Sequence, residues 1–93
     1  QLAEIVDAVG DKLDVICEGG IHRGTHMLKA LSLGAKACSG GRLYLYALAA
    51  AGQAGVERAV SQYRAELERD MKLMGCTKIS ELNRNNLRFR NTR

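Results

Sequence analysis

Apolar side chains follow two patterns along the chain, helical stripes and short unbroken runs. Residues 2–9 carry apolar side chains at helical spacing, and Gly10 follows them as a natural helix stop. Residues 15–17 (VIC) form instead a nearly continuous apolar run, which is typical of a strand buried on both faces. The chain is therefore predicted to open with a helix followed by a buried strand.

The order of strand and helix is repeated further along. A helix is expected to begin with Thr25 as its N-cap and to stop at Gly34. The segment AKACSGG (residues 35–41) contains a second, weaker strand. It leads into RLYLYALAAAG, a short apolar helix that is predicted to end at Gly52.

A longer amphipathic helix follows over AGVERAVSQYRAELERDMKLMG (residues 54–75), where Glu, Arg, Gln and Lys separate the apolar positions. Gly75 ends this helix, and Thr77 is expected to cap a final short helix, KISELNRN. The apolar stripe, at spacings of three and four, consists of Val56, Val60, Tyr63, Leu67, Met71 and Met74.

Strands that alternate with helices predict the α/β class, built from βαβ units with parallel pairing. Two parallel strands need neighbours on both edges and helices on both faces. We therefore expect residues 1–93 to be one segment of a larger α/β sheet or barrel. The first residue is Gln1 rather than Met, which also favours a piece of something longer.

The composition is that of an ordinary globular protein, with 46% hydrophobic and 26% charged residues. Apolar runs stay well short of the ~20 residues of a membrane span, and no signal segment is recognisable, so a cytosolic protein is expected. Cys17, Cys38 and Cys76 lie far apart without CxxC spacing. They are interpreted as small buried apolar residues rather than disulfide or zinc ligands.

The net charge of +4 is concentrated in the C-terminal tail, RNNLRFRNTR. A basic tail can contact nucleic-acid phosphates, but one Phe and three Tyr leave little for base stacking. A solvated terminus is favoured, and no nucleic-acid partner is expected. The cations of the tail are Arg84, Arg88, Arg90 and Arg93.

Two glycine pairs carry the clearest chemical signal. Gly19 and Gly20 end the first strand, and Gly40 and Gly41 follow the second, with Arg42 directly after them. At the carboxyl ends of parallel strands, glycine amides and the next helix N-terminus can bind an anion, and an arginine can add a two-pronged hydrogen bond. Two such turns on adjacent strands are predicted to converge on one phosphate. The spacing matches neither GxGxxG nor the P-loop.

Other polar residues near the turns are more ambiguous. Glu18 is placed to accept hydrogen bonds from ligand hydroxyls or, equally, to pair with a cation at the rim. His22 and Arg23 could add donors to the anion site, whereas His26 is expected to be exposed. No triad or metal-ligand spacing is recognisable. Tyr44 and Tyr46 are interpreted as packing residues.

The segment VICEGGIHRGTHMLKALSLGAKACSGGRLYLYALAAAGQAGVERA resembles the C-terminal part of the FMN-dependent 2-hydroxy-acid dehydrogenases and oxidases. That family includes L-lactate dehydrogenase, glycolate oxidase and mandelate dehydrogenase. The resemblance extends from EIVDAVGD to the LMGC that closes the long helix. It implies a (β/α)8 TIM barrel, of which residues 1–93 are the last quarter, with strands 7 and 8.

The resemblance further implies an FMN cofactor and oxidation of a 2-hydroxy acid, of the L-lactate or glycolate type, to the 2-oxo acid. Electrons would pass to oxygen, a quinone or a cytochrome, and the enzyme would be a homo-oligomer. The family's catalytic His and Arg lie upstream, so no catalytic residue or metal ligand is assigned to this chain. By position, FMN contacts are assigned to Glu18, Gly19, Gly20, Ile21, His22, Gly41 and Arg42.

The chain departs from the family pattern at several of these positions. Glu18 stands where Asp is usual, and His22 stands where Arg is usual. The first change adds a methylene that crowds the cofactor, and the second removes a fixed charge, so weak binding of the FMN phosphate is predicted. Gly40 replaces an aliphatic residue and is expected to cost packing. His26 replaces Asp, and Leu43 replaces Pro or Ala.

Two alternatives stay open. A barrel of another class that binds FMN or phosphate, such as an FMN-linked isomerase, would use the same glycine turns. A non-enzymatic fragment that acts as a binding or assembly piece would need none of the missing catalytic residues.

Overall fold

The computed structural model describes residues 1–90 and contains the predicted alternation of helices and strands. Two short strands, three helices and two turns of 3-10 helix follow one another along the chain. The predicted order is confirmed up to the end of the long helix. The elements are α1 (Leu2–Val9), β1 (Ile16–Glu18), α2 (Gly24–Leu33), β2 (Ala37–Ser39), α3 (Gly41–Met74) and the 3-10 turns Ile79–Glu81 and Arg84–Asn86.

The two strands pair in parallel, as the βαβ pattern predicts, and α2 makes the connection between them. Cys17 lies opposite Cys38, and Glu18 lies opposite Ser39. Because the strands end level with each other, both glycine turns begin at the same edge of the sheet.

The predicted burial of β1 on both faces is wrong for this chain. Ile16 is 63% exposed, and Cys17 is only half-buried. Within residues 1–90 the sheet has two strands, so the face and edges that a larger sheet would cover are open to solvent. The cysteines are therefore half-buried rather than buried, and desolvation raises the pKa of the Cys38 thiol where it packs on the small core of Leu28, Leu31 and Leu82.

The predicted break between the short apolar helix and the long amphipathic helix is confirmed inside α3. Its backbone leaves the helical conformation at Ala51 and Gly52, which separates an arm over residues 41–50 from one over 53–74. Much of the predicted stripe of the second arm faces α2 and the core, with Tyr63 buried. Val60 and Met74 are exceptions, at 48% and 38% exposed.

Two predicted caps are wrong because each threonine hydroxyl donates to a carboxylate instead of accepting from the helix backbone. The helix α2 begins at Gly24, and the Thr25 hydroxyl donates to Asp70 rather than capping the helix. After α3, the Glu81 carboxylate accepts hydrogen bonds from the N–H groups of Thr77 and Lys78, which lowers the pKa of Glu81. In place of the expected last helix there are two single 3-10 turns.

The basic tail is partly fastened to the body of the protein. Arg84 lies 2.8 Å from the Asp7 carboxylate and also donates to the carbonyl oxygen of Ala3. Arg88 and Arg90 are exposed, as expected of a solvated terminus, and Arg93 lies outside the described residues. No helix within residues 1–90 combines the length and the apolar character that a membrane crossing requires.

Candidate cofactor-binding site

The two glycine turns face each other across a single cavity at the carboxyl edge of the sheet. The cavity measures about 420 Å³. Residues of the first turn and of the N-terminal end of α3 both line it. All seven residues assigned to FMN are brought together here: Glu18, Gly19, Gly20, Ile21, His22, Gly41 and Arg42 line the cavity.

The backbone of the first turn requires glycine at both positions. Gly19 and Gly20 have φ values of 96° and 72°, in the left-handed region that side chains disfavour. A Cβ at either position would meet nothing within 4 Å, so the reason for glycine is conformation rather than contact with the protein. The turn thus presents bare backbone to an open space.

The second turn forms the N-terminus of the first arm of α3. Gly40 occupies the N-cap position of α3 and Gly41 is its first residue, so free helical N–H groups lie at the cavity. Gly40 therefore lies after β2 rather than within it. The cost predicted for a glycine inside the strand does not apply to β2. The helix N-terminus favours a negative charge at this wall.

Arg42 and Glu18 supply the charges of the cavity wall. The Arg42 side chain is exposed and makes no ion pair within residues 1–90, so its guanidinium is available to an anion. Glu18 likewise has no cationic partner among the described residues, which disfavours the rim ion pair considered for it. Its carboxylate lies instead beside Gly41.

The two histidines interact with each other. The His22 N–H donates to His26 Nδ1 at 3.1 Å, and the rings meet edge-on with centroids 6.5 Å apart. His26 is consequently half-buried rather than exposed as predicted. The His22 amide is engaged, so the contribution of His22 to the cavity comes from its exposed side chain.

The N-terminus of α2, unlike that of α3, is already occupied by a carboxylate. Glu66 of α3 accepts from the Gly24 N–H at 2.8 Å and pairs with the Arg23 guanidinium at 2.8 Å. The Arg23 side chain and the Gly24 amide lower the pKa of Glu66 to about 2. The hydrogen bond to Glu66 in turn raises the pKa of Arg23. The expectation that this helix end and Arg23 add to the anion site is therefore wrong.

Tyr63 is a residue of the site region that the sequence did not identify. It is buried in α3, where its hydroxyl donates to the Ile21 carbonyl of the first turn. Its ring packs edge-to-face on Tyr44, with centroids 5.9 Å apart, and burial raises the pKa of Tyr63. The packing role predicted for Tyr44 is confirmed, whereas Tyr46 is 60% exposed. In the sequence Tyr63 is visible only as one position of an apolar stripe.

The arrangement can bind an anion but brings together no metal-ligand cluster in the part of the chain that the structure describes. No three His, Cys, Asp or Glu side chains of residues 1–90 are placed to share a metal ion. The cavity offers glycine amides, a helix N-terminus and a guanidinium, which is the donor set of a phosphate site.

Similarity to known sequences covers nearly the whole chain. The chain is 42% identical over 92 residues to a peroxisomal (S)-2-hydroxyacid oxidase of Arabidopsis thaliana, which corresponds to 99% of the chain and 25% of the oxidase. It is 51% identical over 72 residues to the cytochrome-type L-lactate dehydrogenase of Saccharomyces cerevisiae, covering 77% of the chain and 12% of that enzyme. The chain thus spans a quarter or less of these relatives.

Solved structures show the same relationship in three dimensions. An (S)-mandelate dehydrogenase superposes with a TM-score of 0.87 at 37% identity, over 94% of this chain and 24% of that one. The flavin-binding domain of baker's yeast flavocytochrome b2 superposes with a TM-score of 0.83 at 46% identity, over 90% of this chain and 23% of that one. The chain is therefore a fragment of a (β/α)8 barrel.

The family resemblance noted in the sequence is confirmed by a match of residues 1–89 to the model of the FMN-dependent dehydrogenases. The match includes both glycine turns, the helix between them and nearly all of the tail that the structure describes. This chain belongs to the FMN-dependent dehydrogenase family.

Proposed function

We propose that residues 1–93 form the C-terminal quarter of a (β/α)8 barrel that oxidises a 2-hydroxy acid to the 2-oxo acid with FMN. In this proposal β1 and β2 are the seventh and eighth strands. Their parallel pairing, the exposed Ile16 and the quarter-length coverage of the relatives all support a segment that packs against six further strands.

The observation that carries the proposal is the single cavity between the two glycine turns. It is lined by Gly19 and Gly20 of the first turn and by Gly41 and Arg42 at the N-terminus of α3. These groups fit a phosphate monoester, which has two negative charges and three acceptor oxygens. Glu18, Ile21 and His22 complete the wall and would contact the cofactor next to its phosphate.

FMN, when bound, supplies the redox chemistry by taking up the hydride equivalent from the substrate. The residues of this chain bind and orient the phosphate end of the cofactor and take no part in proton transfer. L-lactate or glycolate type substrates are proposed from the relatives, which include an L-lactate oxidase of Nostoc and a glycolate oxidase of rice. The acceptor is oxygen, a quinone or a cytochrome, and the assembly is a homo-oligomer. A cytosolic location stays a prediction.

The test compares FMN with riboflavin, which lacks the phosphate, on the protein that contains this chain together with the rest of the barrel. We expect FMN to bind more tightly than riboflavin and Arg42→Ala to remove most of that preference. Arg58→Ala is the matched control, because it deletes an exposed arginine of the same helix that does not line the cavity. Equal affinities for the two flavins in the unaltered protein would contradict the proposal.

The reaction itself separates the proposal from a barrel of another class. Anaerobic addition of L-lactate or glycolate is expected to bleach the visible absorbance of the bound flavin. A flavoprotein that responds to neither, nor to other 2-hydroxy acids, would favour the alternative. The alternative of a non-enzymatic fragment that folds and acts by itself is disfavoured, because the buried core is small. Several large apolar side chains are also 53–63% exposed: Ile16, Leu45, Tyr46 and Leu48.

A further inference from the structure

One buried side chain touches both glycine turns without lining the cavity between them. The Tyr63 hydroxyl donates to the Ile21 carbonyl, directly after the first turn. The same ring lies against Gly40 at the start of the second turn. Tyr63 is 5% exposed and belongs to the second arm of α3, so one side chain of a single helical arm makes both contacts.

The peptide unit between Ile21 and His22 is held at both ends. Its carbonyl oxygen accepts from Tyr63, and its N–H donates to His26 Nδ1. Because a peptide unit is planar, two such bonds on opposite sides fix its orientation about the chain axis. This unit directly follows the first turn, so its two hydrogen bonds restrain the backbone that carries the Gly19 and Gly20 amides.

Gly40 is the residue that admits the tyrosine. A Cβ at Gly40 would lie 2.8 Å from the Tyr63 Oη and 3.0 Å from its Cε2. It would also lie 3.3 Å from Cε2 of Tyr44, whose ring supports Tyr63 edge-on. The Tyr63 ring thus fills the volume that a side chain at position 40 would need. The packing cost expected for Gly40 is offset by this ring.

We propose that Tyr63 is a positioning residue that sets the spacing and orientation of the two phosphate-binding turns. Glycine is needed at position 40 because a side chain there would occupy the space of the Tyr63 ring. This inference rests on the proposed function, since it assigns Tyr63 a part in recognising the phosphate of FMN. Tyr63 acts through Ile21 and Gly40 and does not touch the cofactor. Loss of the Tyr63 hydroxyl should therefore weaken binding of the phosphate end of FMN rather than of the isoalloxazine ring.

The first experiment measures FMN and riboflavin dissociation constants for the Tyr63→Phe variant of the complete flavoprotein. Phe keeps the ring and removes the bond to the Ile21 carbonyl. We expect the FMN dissociation constant to rise about three- to tenfold, while that of riboflavin changes less than about twofold. Tyr44→Phe is the control, because the Tyr44 hydroxyl makes no hydrogen bond within residues 1–90, and it should leave both constants unchanged.

A parallel loss of affinity for both flavins, or no loss for either, would overturn the role assigned to Tyr63. Equal binding of FMN and riboflavin by the unaltered protein would overturn the proposed function together with this inference. The two failures are therefore distinguished by the unaltered protein.

The second experiment tests the coupling of the two residues. Gly40→Ala should weaken FMN binding by displacing the ring, and Gly40→Ala should have a smaller effect in a Tyr63→Leu background, where the space is free. Additive effects of the two substitutions on the FMN dissociation constant would contradict the proposed pairing.

Discussion

The carboxylate of Glu18 lies against the first residue of α3, where a Cβ at Gly41 would stand 3.4 Å from Glu18 Oε1. The side chain thus reaches from the end of β1 to the N-terminus of α3. A helix N-terminus stabilises a carboxylate there for the same reason that it attracts a phosphate. Glu18 therefore places a negative charge inside the proposed anion site.

Shortening this side chain should improve cofactor binding. Glu18→Asp withdraws the carboxylate from Gly41, and we expect the FMN dissociation constant to fall by about three- to tenfold, the equivalent of roughly 0.7–1.4 kcal/mol. The measurement is quenching of FMN fluorescence on titration with the apoprotein. Glu18→Gln keeps the length and removes the charge, so it distinguishes repulsion from crowding. Weaker binding by the Asp variant would show that Glu18 contacts the cofactor favourably.

An arginine at position 22 should strengthen the phosphate site. The exposed His22 side chain lines the cavity, and His22→Arg adds a fixed charge with two-pronged geometry. A charge-assisted hydrogen bond is worth roughly 1.5–3 kcal/mol, so FMN affinity should rise about tenfold or more, with little change for riboflavin. Gln62→Arg adds the same charge on α3 outside this cavity. Similar gains from both variants would mean that only net charge matters.

The Glu66 carboxylate contacts the Arg23 guanidinium and the Gly24 N–H, and these contacts are called here the Glu66 clamp. The clamp should make part of the free energy of unfolding depend on pH. The pKa of Glu66 is lowered from 4.5 to about 2, so its contribution is complete above about pH 4.5 and is lost as the pH falls towards 2. Glu66→Gln should therefore lower the free energy of unfolding most above pH 4.5. The difference from the unaltered protein should shrink at lower pH, as measured by urea unfolding across this range.

A matched substitution separates this clamp from ordinary surface charge. Glu68 pairs with Arg64 on the exposed side of the same helix, with 57% of the Glu68 side chain in solvent. Such pairs contribute about 0.3–0.5 kcal/mol, so Glu68→Gln should have a small effect with little dependence on pH over the same range. If Glu66→Gln behaved in the same way, the clamp would be no stronger than a surface pair.

The local features of this fold could be predicted because each depends on neighbouring residues. Glycines at positions 10, 34, 52 and 75 mark where the predicted helices end, and the short apolar runs mark the strands. The convergence of the two glycine turns followed from parallel pairing alone. The burial predicted for Ile16 is wrong for residues 1–90, because it depends on neighbouring strands that these residues do not supply.

The contacts that shape the site were beyond the sequence because they join residues more than forty positions apart. Tyr63 reaches Ile21, and Glu66 reaches Arg23 and Gly24, only once α2 and α3 are packed. In the sequence Glu66 reads as an ordinary charge on the solvated face of an amphipathic helix. Its partners are the Arg23 guanidinium and the Gly24 backbone N–H, and nothing in the local sequence links either of them to position 66.

The contact between α2 and α3 at Gly24 should tolerate no side chain. A Cβ at Gly24 would lie 2.5 Å from Glu66 Cβ and 2.6 Å from the Leu67 nitrogen, so Gly24→Ala forces the helices apart. Overpacking of this kind costs roughly 1–3 kcal/mol, which exceeds the helix-propensity gain of up to about 1 kcal/mol. We expect a lower melting temperature and weaker FMN binding, because α3 carries the second turn.

The control for Gly24 is a glycine whose replacement strains the backbone without a collision. Gly75 has a φ of 76° and open space around it, so Gly75→Ala should cost about 1 kcal/mol in stability. It lies at the far end of α3 from the cavity and should leave FMN affinity unchanged. Loss of affinity in both variants would indicate general unfolding, whereas loss in Gly24→Ala alone ties the site to the packing of α2 on α3.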